Sequence, residues 1–230
     1  MKKVILFAAA ALVIGSAQAQ FKPEGGSFCM EVQFRPLGNV IQSNPIGSEN
    51  FGVAGISAKY FLTGKLELRG DLLFSFYSDK DKFPVPAGTT GVEGTIKNSF
   101  SAFGLNLGLN YHFNGTERIS PYVGALIGFG VSSDKTRADN LGWVSGDYSL
   151  QKGGFFGMQL AVATGFNWYI VSGLYIGAEV GLGLGFGKEL KDETKTSVGG
   201  VTNTTTVNPT ASEFGINFFA TPAIRLGWKF

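Results

Sequence analysis

Residues able to make or break bonds are scarce in this chain. Its 230 residues hold one histidine, His112, and one cysteine, Cys29. No Cys/His set exists to hold a metal. An activated nucleophile needs a base and an orienting acid within reach. His112 falls at the end of an alternating segment, facing inward, and reads as an interior or turn residue. Cys29 reads as an inert lone thiol. The stretch Gly181–Lys188 resembles a phosphate-binding loop but departs from it twice: Leu182 stands at the first glycine, and Glu189 stands where Ser or Thr would hold magnesium. No cofactor is expected. What remains is a set of charges inside otherwise apolar segments: Glu31, Arg35, Lys59, Glu67, Arg69, Asp71, Glu179 and Arg225. Four are acidic and four basic, and buried charges are stable only when paired. The chemistry they imply is ion pairing.

The elements that carry these charges show period two. Apolar residues alternate with polar or small ones over roughly 27–36, 50–61, 65–77, 99–113, 120–132, 154–170, 173–187 and 212–230. In the third segment Leu66, Leu68, Leu72, Phe74 and Phe76 share one face, while Glu67, Arg69 and Asp71 share the other. A helical hairpin across 154–187 is the rival reading. It leaves the third segment unexplained, because a helix would wrap those three charges around most of its circumference. Every one of the eight charges falls on the phase opposite the apolar face. With 34 Gly, 13% aromatic residues and only 16% charged ones, the composition suits strands facing lipid on one side.

Connections alternate as well. Short links (62–64, 114–119 and 171–172) alternate with long polar stretches at 37–49, 78–98, 133–153 and 188–211. That alternation predicts an all-β, eight-stranded antiparallel up-and-down transmembrane β-barrel. It has short periplasmic turns and four longer extracellular loops. The Thr/Gly/Asn tract within 188–211 reads as a mobile loop. Residues 1–19 have the form of a cleaved signal peptide: a basic start, a short apolar core and Ala17-Gln18-Ala19. A single barrel domain then occupies 20–230. Lys2 and Lys3 carry the whole formal excess of +2, so no basic patch argues for nucleic acid.

The chain ends Ile224-Arg225-Leu226-Gly227-Trp228-Lys229-Phe230. With the signal peptide, the eight segments and the Gly-rich alternation, this end resembles the small bacterial outer-membrane β-barrel families. Among them are the porin-like barrels of Bacteroidetes and the OmpX/OmpA-type barrels. The resemblance implies an integral multi-pass protein of the bacterial outer membrane. It implies that Trp228 and Phe230 form part of the signal read by the barrel-assembly machinery during insertion. Tyr60, Tyr111 and Trp168 fall on the apolar phase near the periplasmic ends, where amphipathic rings favour the membrane interface.

For function, the leading expectation is a non-enzymatic barrel with a side-chain-filled interior. It would be structural, or would bind an extracellular ligand or envelope protein through its loops. A narrow pore for small solutes is the alternative, and a lipid-modifying enzyme ranks third. The depths of the inward charges predict that Arg225 bridges Glu179 and Glu31, with Arg69 and Lys59 compensating the second acid.

Overall fold

The computed structural model describes residues 21–35, 52–208, 212–219 and 224–230. The signal-peptide segment and the 37–49 loop lie outside the described residues. Eleven strands appear among the described ones: β1 (Phe28–Arg35), β2 (Gly52–Phe61), β3 (Leu66–Phe83), β4 (Gly94–His112), β5 (Ile119–Asp139), β6 (Tyr148–Val171), β7 (Leu174–Glu189), β8 (Asp192–Val198), β9 (Val201–Val207), β10 (Ser212–Phe219) and β11 (Ile224–Lys229). Each of β1 to β6 pairs antiparallel with its successor. β11 lies between β7 and β1 and closes the ring, while β10 pairs with the outer half of β7. β10 and β11 together therefore form the eighth wall of the barrel.

The alternation decides the faces. Leu68, Leu107, Leu109, Ile127, Leu160, Val162, Val180 and Leu184 are exposed on the outside, as a lipid-facing surface requires. Their neighbours Glu67, Asn110, Asn106 and Asn167 are buried inside. On β3 the outward apolar run from Leu66 to Phe76 spans about 33 Å along the strand. At the usual barrel tilt that is about 25 Å of height, the thickness of a lipid-facing band.

The turns at the short end are built by hydroxyls and a glycine. Thr63 Oγ1 accepts from the N–H groups of Lys65 and Leu66, and Thr116 Oγ1 accepts from Arg118 and Ile119. Between β6 and β7 the turn needs the left-handed φ of +84° at Gly173.

At the other end the strands outrun the sequence reading. β3 and β4 continue in unbroken register from Leu66↔Tyr111 to Phe83↔Gly94, so the 78–98 stretch contracts to 84–93. β5 and β6 pair out to Asp139↔Tyr148, and 133–153 contracts to 140–147. Within 188–211, residues 192–207 form a hairpin rather than a mobile loop. β8 pairs with the outer end of β6, and β9 pairs with β8. The Gly199-Gly200 turn, with φ of +59° and +81°, joins them with two residues. Polarity marks where strands leave the hydrocarbon, and the ladder needs no apolar residue to continue. The Thr-rich tract suits a strand because its side chains are β-branched.

Candidate functional site

The inward residues of the lower barrel stack in two layers. The floor consists of Cys29, Phe61, Tyr169 and Tyr175, all buried, with Phe21 packed against them. Phe21 belongs to the segment before β1, which is tied down by Gly26 N–H donating to the Phe61 carbonyl (2.7 Å). The Arg118 guanidinium lies over the Phe21 ring at 4.5 Å. Beside this segment, a hollow of about 490 Å³ opens among Lys22, Lys65, Phe113 and Ser120. Burial holds the Lys22 ammonium below the usual lysine range.

Above the floor lies a layer of paired charges. Lys59 Nζ sits 2.8 Å from Glu31 and 3.7 Å from Glu67, and all three side chains are fully buried. Asn110 donates to Glu67 (2.7 Å), and His112 Nε2–H donates to its second oxygen (3.0 Å). Arg69 pairs with Asp71 (2.7 Å) and with Glu179 (2.5 Å). Arg225 Nη1 lies 3.5 Å from Glu179 and 3.7 Å from Glu31. Its Nη2 donates to Asn167 (3.3 Å) and to the carbonyls of Ala178 (3.3 Å) and Phe166 (3.5 Å). Tyr122 donates to Glu179 (2.5 Å) and Tyr175 to Glu31 (3.1 Å). Seven of the eight expected charges therefore meet in one connected layer. Of the eighth, Arg35, only the backbone position at the outer end of β1 is described.

Register explains how so much fits. The large inward side chains lie across glycines on the next strand. Arg225 faces Gly177, Tyr175 faces Gly227, and Tyr122 faces Gly165. A Cβ at Gly177 would stand 2.8 Å from Arg225 Nη2, and one at Gly165 would stand 2.7 Å from the Tyr122 hydroxyl. A Cβ at Gly227 would clash with the edge of the Tyr175 ring, at Cζ and the hydroxyl. Glycine is used here for the space it leaves, and the aromatic ring shields the backbone it exposes. Register also sets Lys59 directly opposite Arg69, a repulsive placement that each relieves on different acids.

Ser120, His112 and Glu67 form a hydrogen-bonded chain, with Ser120 Oγ 2.9 Å from His112 Nδ1. The residue types are those of a nucleophile–base–acid series. The His112 ring is clamped between Phe61 (5.3 Å) and Tyr122 (5.2 Å), and Glu67 is shared with Asn110 and Lys59. Tyr122, Tyr169 and Ser120 join the charged layer and its floor without standing out in the sequence. Their inward phase in β5 and β6 was the signal available for them.

On the outside, Tyr60, Tyr111 and Trp168 project from the strand ends beside the short turns, each about half exposed. The Trp228 and Phe230 rings stack edge to face at 6.1 Å near the same end.

An antiparallel ring, apolar outside and filled inside by charges, defines an integral β-barrel membrane protein. The chain belongs to the putative OmpA-OmpF-like porin family, whose model matches residues 42–230. It is a barrel of the outer membrane. Among solved structures it is similar to the N-terminal β-barrel domain of Pseudomonas aeruginosa OprF, at 15% identity and TM-score 0.31, covering 90% of this chain and 100% of that one. It is also similar to Ail, the attachment invasion locus protein of Yersinia pestis, at 16% identity and TM-score 0.38, again over 90% and 100%. No curated protein matches it.

Proposed function

We propose that this protein is a non-enzymatic outer-membrane barrel with a closed lumen. It is structural, or engages an extracellular ligand or envelope protein through the sheet and loops beyond the membrane. Residues 1–19 are removed as a signal peptide on the way there. The observation that carries this reading is the continuous cross-section formed by Glu31, Lys59, Glu67, Arg69, Asp71, Glu179 and Arg225 over the aromatic floor. A solute or ion crossing the barrel would have to break several buried pairs, each break leaving an uncompensated charge.

A narrow pore is the competing reading. It draws support from the family description and from the inward glycines of upper β7, Gly181, Gly183, Gly185 and Gly187. Planar-bilayer recording of the purified, folded protein separates the two. The closed barrel gives no stable conductance. Reproducible discrete steps in the wild type would establish the pore.

A further inference from the structure

Beyond the membrane, the wall formed by β3, β4, β5, β6 and β8 has two faces of opposite charge. The unbroken registers decide which residues share a face. Continuing the lipid-facing side upward are Lys80, Lys82, Lys97, Lys135, Arg137, Lys152 and Lys195, with Asp139 and Glu193 as the acids. Lys188, opposite the outward Phe156, joins them from β7. Continuing the lumen side are Asp79, Asp81, Asp134, Asp192 and, on β7, Glu189, with no base among the strand residues of that face.

The basic face is not self-compensated. Arg137 pairs with Asp139 (2.8 Å), Lys195 and Lys152 share Glu193 (3.0 and 3.8 Å), and Lys82 pairs with Glu93 of the adjoining connection (2.9 Å). Lys80, Lys97, Lys135 and Lys188 have no ion pair among the described residues. Lys80 stands directly opposite Lys97, Lys97 directly opposite Arg137, and Lys135 directly opposite Lys152. Like charges opposite one another across a ladder are destabilising. A row of such rungs is stable when an anion lies between them, and adjacent strands about 4.8 Å apart let one anion touch two or three ammonium groups.

Height names the anion. Each basic row stands four residues beyond an outward apolar residue: Lys80 beyond Phe76, Lys135 beyond Val131, and Lys152 before Phe156. Four residues along a tilted strand raise the row by about 10 Å. Lysine stems reach back several ångströms toward apolar surface. The ammonium groups therefore lie at the headgroup level of the outer leaflet. We infer that the outward face of the β3–β4–β5–β6 wall, through Lys80, Lys97, Lys135, Arg137 and Lys152, is a binding site for the phosphate groups of outer-leaflet lipid headgroups. This inference goes beyond the closed-barrel reading and does not depend on whether the lumen conducts.

The test uses the full-length mature protein in phosphatidylcholine nanodiscs doped with lipid A bearing two phosphates. Lipid retained around the protein is quantified by mass spectrometry. The wild type enriches lipid A over its bulk fraction, and Lys80→Gln/Lys97→Gln/Lys135→Gln lowers that enrichment by at least about tenfold. Asp79→Asn/Asp81→Asn, on the opposite face of the same wall, leaves it unchanged. Lipid A stripped of both phosphates is not enriched, and raising salt releases the phosphorylated form from the wild type even if the triple variant fails to fold. Equal retention by the triple variant, or equal retention of dephosphorylated lipid A, would overturn the site. So would displacement of lipid A by equimolar inorganic phosphate or by a soluble sulfated oligosaccharide, which would assign the face to a soluble anion.

Discussion

The same strand of this barrel treats charge in two opposite ways. In lower β3, Glu67, Arg69 and Asp71 all point inward, are buried and are paired: Glu67 with Lys59 and Arg69 with Glu179 on other strands, and Asp71 with Arg69 beside it. In upper β3, Asp79 and Asp81 take the lumen phase while Lys80 and Lys82 take the other, and all four are exposed. The backbone does not change between the two halves; the solvent does. Inside the hydrocarbon a charge on the outer face is excluded, and one on the inner face must be paired. Above it either face is open to water, and sign can be sorted by face instead of cancelled.

That contrast can be broken most forcefully from within. Arg225→Ala should destabilise the barrel by about 3–5 kcal/mol, because Glu179 and Glu31 lose a buried partner. Arg225→Ala combined with Glu179→Ala should cost less than the sum of the two single changes. Denaturant unfolding in detergent measures the cycle, and strictly additive costs would mean the lower charges are as independent as the upper ones.

Moving a charge across the wall is the next test. Val180→Arg puts a cation on the lipid face beside the inward Glu179, at an expected cost of about 2–4 kcal/mol near the midplane. Its yield in the membrane fraction should fall well below that of Ser78→Arg, an outward position above the apolar band. Equal yields would erase the distinction between the two zones.

Packing sharpens the comparison further. Gly165→Ala should cost about 1–3 kcal/mol, because a methyl group there meets both the Tyr122 hydroxyl and the Ala178 carbonyl. Gly142→Ala is its control: nothing lies near a Cβ at that external turn, and the cost is confined to its φ of +61°. Comparable thermal shifts for the two would mean that the lumen is not tightly filled.

The smallest effect is expected outside. Removing the exposed Arg137–Asp139 pair by Asp139→Asn should change stability by no more than about 1 kcal/mol, and the difference should shrink in high salt. A shift approaching that of Arg225→Ala would show that the outer wall depends on its ion pairs as the lumen does.

Several features of this protein were legible from residue order alone. A period of two is a property of the strand itself, so Leu66 to Phe76 and Glu67 to Asp71 separate onto opposite faces without any knowledge of neighbours. The number of walls and the short turns follow from the same local pattern, since Thr63, Thr116 and Gly173 act on residues beside them. Strand length at the outer end was not legible, because polarity reports the surrounding solvent, whereas a ladder persists wherever a partner strand runs alongside. Ser78 to Phe83 found that partner in Gly94 to Ser99, and Thr194 to Ser197 found it in Tyr148 to Gln151.

Partner choice in the lumen was decided only by the closed ring. The sequence placed Arg225, Glu179 and Glu31 at similar depth, but contact depends on stagger between strands distant in the chain. It is stagger that sets Arg225 across Gly177 and Gln33, sends Lys59 to Glu31 and Glu67, and leaves Glu179 to Arg69, Tyr122 and Arg225. The segregation of bases and acids onto two faces of the outer wall was hidden for the same reason. Along the chain, Asp79-Lys80-Asp81-Lys82 reads as neutral, and only the registers of β3 through β8 bring its lysines into a common face with Lys97, Lys135, Arg137 and Lys152. Local alternation determines on which side a residue stands. What stands beside it is determined by pairing between strands that are far apart in the sequence.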